Sequence, residues 1–252
     1  MAQPQNWRDK IVKLIAKAES PAVTHEEREA LLAAISRLMV KHGIDAATLA
    51  AADPSRLASD PIEYVITEVT GVGPKRYGKE WVSMGIDVAE ALGAKAFFNS
   101  YRDLQRLGVA AHRSDIERIV MLWKSLQVQA TSELARFVAG YPTWNGYNAS
   151  DKYQIRRSFI IGYGREVASR LRALRRETIA EAQASGNTGT DLAVRDRDAQ
   201  VDTWVEATMG KIGKARGRRY DASGAIAGHV AGSRADIGQT TLGEGMRRLD
   251  AA

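Results

Sequence analysis

Basic side chains able to neutralise phosphate gather at three places in this chain. Gly71-Val72-Gly73-Pro74-Lys75-Arg76 reads as a turn entering a helix. Gly-x-Gly there leaves backbone N–H groups at a helix N-terminus, which attracts phosphate, and Lys75 and Arg76 add charge. Between 152 and 176 stand Lys152, Arg156, Arg157, Arg165, Arg170, Arg172, Arg175 and Arg176, against Glu166 within the span and Asp151 just outside it. Phe159, Tyr163, Val167, Leu171 and Leu174 recur there at helical spacing. This predicts a long helix whose apolar stripe faces a core and whose arginines line the outside. Lys211, Lys214, Arg216, Arg218 and Arg219 form an acid-free run broken by Gly210, Gly213 and Gly217, a composition that can mould itself to a phosphate backbone. Each cluster has a plainer reading: a turn before Pro74, arginines paired with acids such as Glu133 or Asp202, and a solvated surface loop.

Other chemistry is poorly represented. His25-Glu26-Glu27 opens like a zinc-protease helix but has Glu29 where the second histidine belongs. His112, Ser114 and Asp115 are a Ser/His/Asp set only in sequence, since near neighbours cannot face one another as a triad must. No catalytic residue, metal ligand or cofactor site is therefore expected. An enzyme whose carboxylates converge only in the fold is the least favoured class. The loop Tyr141, Trp144 and Tyr147 supplies aromatic area for stacking bases or anchoring a protein.

The 252 residues are 44% hydrophobic and 26% charged, which matches a folded globular chain. Cysteine is absent, so disulfides, thiolate nucleophiles and cysteine-bound zinc are excluded. Residues 1–150 carry 18 Lys/Arg against 17 Asp/Glu and residues 151–252 carry 18 against 13, so five of the six excess positive charges lie C-terminal. That asymmetry points to an acidic partner such as DNA or RNA. The first residues lack an apolar signal core and no stretch approaches 18 apolar residues, so the expectation is a cytoplasmic protein with no membrane partner.

The elements that must carry these residues read as α+β, predominantly helical. An N-terminal helical hairpin (domain 1–52) has stripes at Ile11, Leu14, Ile15, Ala18 and at Leu31, Leu32, Ile35, Leu38, Met39, with Thr24 and Glu27 as a capping box. A linker over 53–72 and a mixed domain over 73–252 follow. In that domain we expect a helix from Pro74 to about Leu92 stopped by Gly93, and strands at Ala94–Tyr101 and Leu104–Ala110. A Ser114/Glu117 capping box should start a long helix, and Ser150 should cap another ending near Gly186. A third strand at Leu192–Arg195 and a helix from Asp198 to Met209 complete the middle. In a last helix, Ala222–Ala235, Gly224, Gly228 and Gly232 share one face and should pack tightly on the long helix.

Several of these residues carry family likeness. Lys10-Ile11, Leu14, Ala18-Glu19-Ser20, His25-Glu26, Glu29, Ala33 and Leu38-Met39-x-Lys41-His42-Gly43-Ile44 resemble the domain of unknown function twenty-seven eighty-six of bacterial and bacteriophage proteins. Arg157-Ser158-Phe159, Gly162, Arg170-Leu171 and Ala227-Gly228-x-x-Ala231-Gly232-x-x-Ala235-Asp236 resemble its companion domain, seventy-one sixty-eight. The likeness implies a phage-encoded protein working in a host cytoplasm, and it carries over no activity, cofactor or catalytic residue. Gly71–Arg76, after Val65, Ile66 and Val69, also resembles the hairpin of helix-hairpin-helix DNA-binding modules, with Tyr77 where those place Ala. The function expected is non-enzymatic nucleic-acid association through the basic C-terminal half. The alternative is an interaction or assembly module for a host or phage protein.

Overall fold

A computed structural model describes residues 60–69, 77–101, 104–141, 143–184, 189–210 and 220–235, with single positions elsewhere. The chain divides into two units, Met1–His42 with Asp236–Ala252, and Gly43–Ala235. In the first, Leu14, Lys17, Glu27 and Leu31 are helical. The expected capping box is present: the Thr24 N–H donates to Glu27 Oε2 (3.1 Å) and the Glu27 N–H donates to Thr24 Oγ1 (3.2 Å). The pairing of the two N-terminal stripes lies outside the described residues, as do Lys75, Arg76, Lys211, Lys214, Arg216, Arg218 and Arg219.

The second unit is α+β and mostly helical. In chain order its described elements are β1 (Ile62–Glu68), α1 (Gly78–Ala91), β2 (Lys95–Tyr101), β3 (Leu104–His112), α2 (Arg113–Ala139), α3 (Ala149–Ala184), α4 (Thr190–Met209) and α5 (Ala222–Ser233). The strands form one antiparallel sheet in the order β1-β3-β2, with Val65 and Ala96 both opposite Val109. β3 is central and both its faces are covered, so it reads as an unbroken apolar run, Leu107 to Ala111. Ala110 lies with Ile62, Tyr64 and Phe97 under Val201 and Val205 of α4. Leu107 points to the opposite face, where α1 comes so near that a Cβ on Gly85 would sit 2.7 Å from Leu107 and 2.9 Å from Trp123. On the α4 side, Gly108 leaves room for the Tyr64 ring, whose Cζ would stand 2.6 Å from an added Cβ.

Local signals placed most elements well. Gly93 takes φ 88° and ends α1, with the Ala94 N–H returning to Ala89 O at 3.1 Å. The structure corrects four points. Residues 62–68, expected as linker, are strand β1, because β3 supplies a partner far along the chain. Leu192–Arg195 is helical and lies in α4: Ala193, Val194, Arg197, Val201 and Val205 are buried at helical spacing. Ser114 does not cap α2 through Glu117; its N–H donates to Asp60 Oδ1 at 2.9 Å. Asn148, not Ser150, caps α3, accepting from the Asp151 N–H at 2.9 Å.

The glycine stripe packs as expected. Added Cβ atoms would meet Ile155 O from Gly224, Phe159 C (2.8 Å) from Gly228 and Tyr163 O (2.8 Å) from Gly232. Each step of four along α5 matches a step of four along α3, so the two helices run parallel with their backbones in contact.

Candidate nucleic-acid interface

The basic residues between 152 and 176 span about seven turns of α3, so they radiate in several directions. Three of them have internal partners. Arg157 lies 3.3 Å from Glu80, a carboxylate that is itself buried, and donates to Gln154 Oε1 at 3.0 Å. Arg175 grips Asp198 through two parallel bonds of 2.9 and 2.8 Å. Arg170 donates to the carbonyls of Gly232 (2.8 Å) and Ala235 at the end of α5. The acids suggested by sequence have other partners: Glu133 pairs with Arg136 at 2.7 Å and Asp202 with Lys95 at 2.9 Å.

Arg165, Arg172 and Arg176 are exposed. Their spacing of seven and four residues puts them on one face of α3, over about 16 Å at 1.5 Å per residue. Among the described residues no carboxylate lies within ion-pair distance of them.

Two arginines lie over aromatic rings. The Arg156 guanidinium sits 4.8 Å from the Trp144 ring centre, with Lys152 Nζ at 5.8 Å. Trp144 meets Tyr141 edge-on at 5.7 Å, Tyr141 meets Tyr147 at 5.8 Å, and Tyr141 OH reaches Ser223 Oγ at 3.4 Å in the first turn of α5. Arg165 lies 5.1 Å over Tyr220, which is 40% exposed and directly precedes Asp221, the N-cap of α5. The Asp221 N–H donates to the buried Ser158 Oγ at 2.8 Å, fixing this entry on α3. Both stacks therefore adjoin the start of α5, and Tyr220 is also the residue that ends the basic run Lys211–Arg219 in sequence.

Asp87 of α1 stands beside this ridge. Burial raises its carboxyl to about 6, with Glu90 pushing the same way, against the attraction of Arg165 and Arg172. A raised carboxyl means the folded state keeps a proton that the unfolded chain releases between about pH 4 and 6, so this group lowers stability as pH rises through that window. Asp87→Asn should therefore raise stability at pH 8 by about 1–3 kcal/mol and change it little at pH 4. Thermal melts at the two pH values test this. A lower melting temperature for the variant at pH 8 would mean that ion pairing outweighs burial.

A second polar cluster is buried and structural in form. Arg197 of α4 bonds to Asp60, to Asp115 (3.1 Å) and to Ser114 Oγ (3.0 Å), and Ser114 Oγ donates to Asp60 Oδ2 at 2.7 Å. Arg118 pairs with Asp115. His112 Nδ1 donates to the Asp60 carbonyl at 2.9 Å, and burial lowers the pKa of its ring. His112 and Ser114 thus each turn to Asp60, and the Ser/His/Asp set does not assemble as a triad.

The chain is thus an α+β protein with an exposed arginine ridge and two arginine–aromatic stacks. Its residues 7–46 match the model of a family described as a protein of unknown function, DUF2786. No curated protein and no solved structure matches the chain.

Tyr220 and Asp87 were not singled out by sequence reasoning. Tyr220 had a local signal, an aromatic closing a basic run; Asp87 had none, since its surroundings come from α3.

Proposed function

We propose that this protein is a non-enzymatic, nucleic-acid-associated protein that holds phosphates along the outer face of α3. The observation that carries it is the exposed Arg165, Arg172 and Arg176 row. Arginine's planar fork suits phosphate, and such contacts displace counterions from nucleic acid. Support also comes from the acid-free run Lys211, Lys214, Arg216, Arg218 and Arg219, which ends on the tyrosine stacked against Arg165. On this reading the protein works in the cytoplasm, a host's if it is phage-encoded. Among the described residues no helix is long and apolar enough to cross a membrane.

Binding of random-sequence DNA and RNA at two salt concentrations tests the proposal. The triple change Arg165→Gln, Arg172→Gln, Arg176→Gln should alter stability by no more than about 0.5 kcal/mol per site, because all three are exposed. It should flatten the dependence of log affinity on log salt by about 0.9 for each lost duplex contact. Arg216→Ala, Arg218→Ala and Arg219→Ala together should act in the same sense. Absence of salt-sensitive binding at low ionic strength overturns the proposal.

One observation favours a second reading. Ile226 and Val230, 65% and 47% exposed, stand one turn apart on α5, beyond the aromatic loop that abuts its start. An apolar pair of this kind suits a protein partner. Pull-down from nuclease-treated extract separates it from nucleic-acid association.

A further inference from the structure

Resting on the nucleic-acid reading above, we propose that the ligand is single-stranded, its bases stacking on Tyr220 and Trp144 while Arg165 and Arg156, on opposite sides of α3, each hold a phosphate beside its own ring. Each ring lies under a guanidinium, at 5.1 Å for Tyr220 and 4.8 Å for Trp144. A guanidinium that lies over a ring interacts with the ring through its charge and makes no conventional hydrogen bond there, so its N–H donors stay available to other acceptors. Among the described residues neither Arg156 nor Arg165 spends those donors on a protein acceptor. The ring therefore holds the guanidinium in place while leaving its donors open to a phosphate.

The rings themselves keep area for a base. Tyr220 is 40% exposed, and Trp144 and Tyr147 are partly exposed. A duplex hides its base faces within its own stack, so half-exposed rings beside cations are useful mainly to an unpaired strand. The start of α5 does not compete for phosphate, because Asp221 already accepts from the Gly224 N–H (2.8 Å) and from Ser223 Oγ (2.6 Å) and brings negative charge. Recognition thus falls to the side chains on either side of it. The backbone contact of α5 with α3 holds them in place before the ligand arrives.

The test uses the full chain, a fluorescein-labelled dT 20-mer and a random-sequence duplex of the same length, read by anisotropy at two salt concentrations. The wild type should prefer the single strand. Trp144→Leu and Tyr220→Leu should each weaken dT binding about 5- to 150-fold while changing duplex binding less than about twofold. The salt slope should stay the same, since no charge is removed. Trp144→Phe and Tyr220→Phe keep a ring and should recover most of the affinity, which separates stacking from misfolding. The proposal is overturned if the Leu variants bind dT like wild type, if single-strand and duplex binding fall together, or if the Phe variants do not recover. Salt-sensitive binding that prefers duplex would refute this inference and leave the nucleic-acid reading standing, whereas binding to neither probe would remove both.

Discussion

Arg197→Ala should cost the fold about 3–5 kcal/mol, the usual consequence of removing one partner from a buried ion pair. Arg197 is only 7% exposed at its side chain, and it serves Asp60, Asp115 and Ser114 together. Asp115 keeps Arg118, but among the described residues the hydrogen-bond donors left to the Asp60 carboxylate would be the Ser114 N–H and hydroxyl, with Arg113 and Arg118 attracting it from farther off. Burial by itself would raise the Asp60 carboxyl. The bonds from Arg197 and Ser114 outweigh that and hold it below its ordinary value of 3.8. A lowered carboxyl stabilises the fold above about pH 4, and that contribution is lost as pH falls through the folded-state value. The gap between wild type and Arg197→Ala should accordingly be full at pH 7 and shrink below pH 4. Adding Asp60→Asn to the variant should recover part of the loss by removing the stranded charge. Urea unfolding at the two pH values checks this; a loss under about 1 kcal/mol at pH 7 would mean that water reaches the cluster.

Gly228→Ala comes next in expected size. In an exposed helix this change adds about 1 kcal/mol of stability through helix propensity. Here the new Cβ would lie 2.8 Å from the Phe159 carbonyl carbon and 2.9 Å from the Tyr163 nitrogen, and both are backbone atoms that no side-chain rotation can move. Overpacking costs about 1–3 kcal/mol, and more where nothing yields, so the net effect should be destabilising by several degrees in Tm. Gly146→Ala is the control: among the described residues nothing lies within 4 Å of its added Cβ, and the change should shift Tm little. If Gly228→Ala melted at or above the wild-type temperature, α3 and α5 would not be in backbone contact.

The protein separates what local sequence can encode from what only distant chain can supply. Periodicity, the Thr24–Glu27 box, the Gly93 stop, strands β2 and β3, and the glycine stripe were legible because each depends on residues within a turn or two, or on side-chain size alone. β1 was not legible, since Ile62–Glu68 becomes a strand by pairing with Arg106–His112. Leu192–Arg195 was ambiguous for the same reason: a short apolar run suits a strand or a helix until the surface it covers is known. The cap of α2 came from Asp60, 54 positions away from Ser114. The arginines of α3 show the limit most clearly. Sequence named the cluster and its apolar stripe correctly, yet Glu80, Asp198 and the carbonyls of α5 decided that Arg157, Arg175 and Arg170 bind inward. Arg165, Arg172 and Arg176 were left facing water, because a charged side chain's role is set by the acceptors that the fold brings within about 4 Å of it.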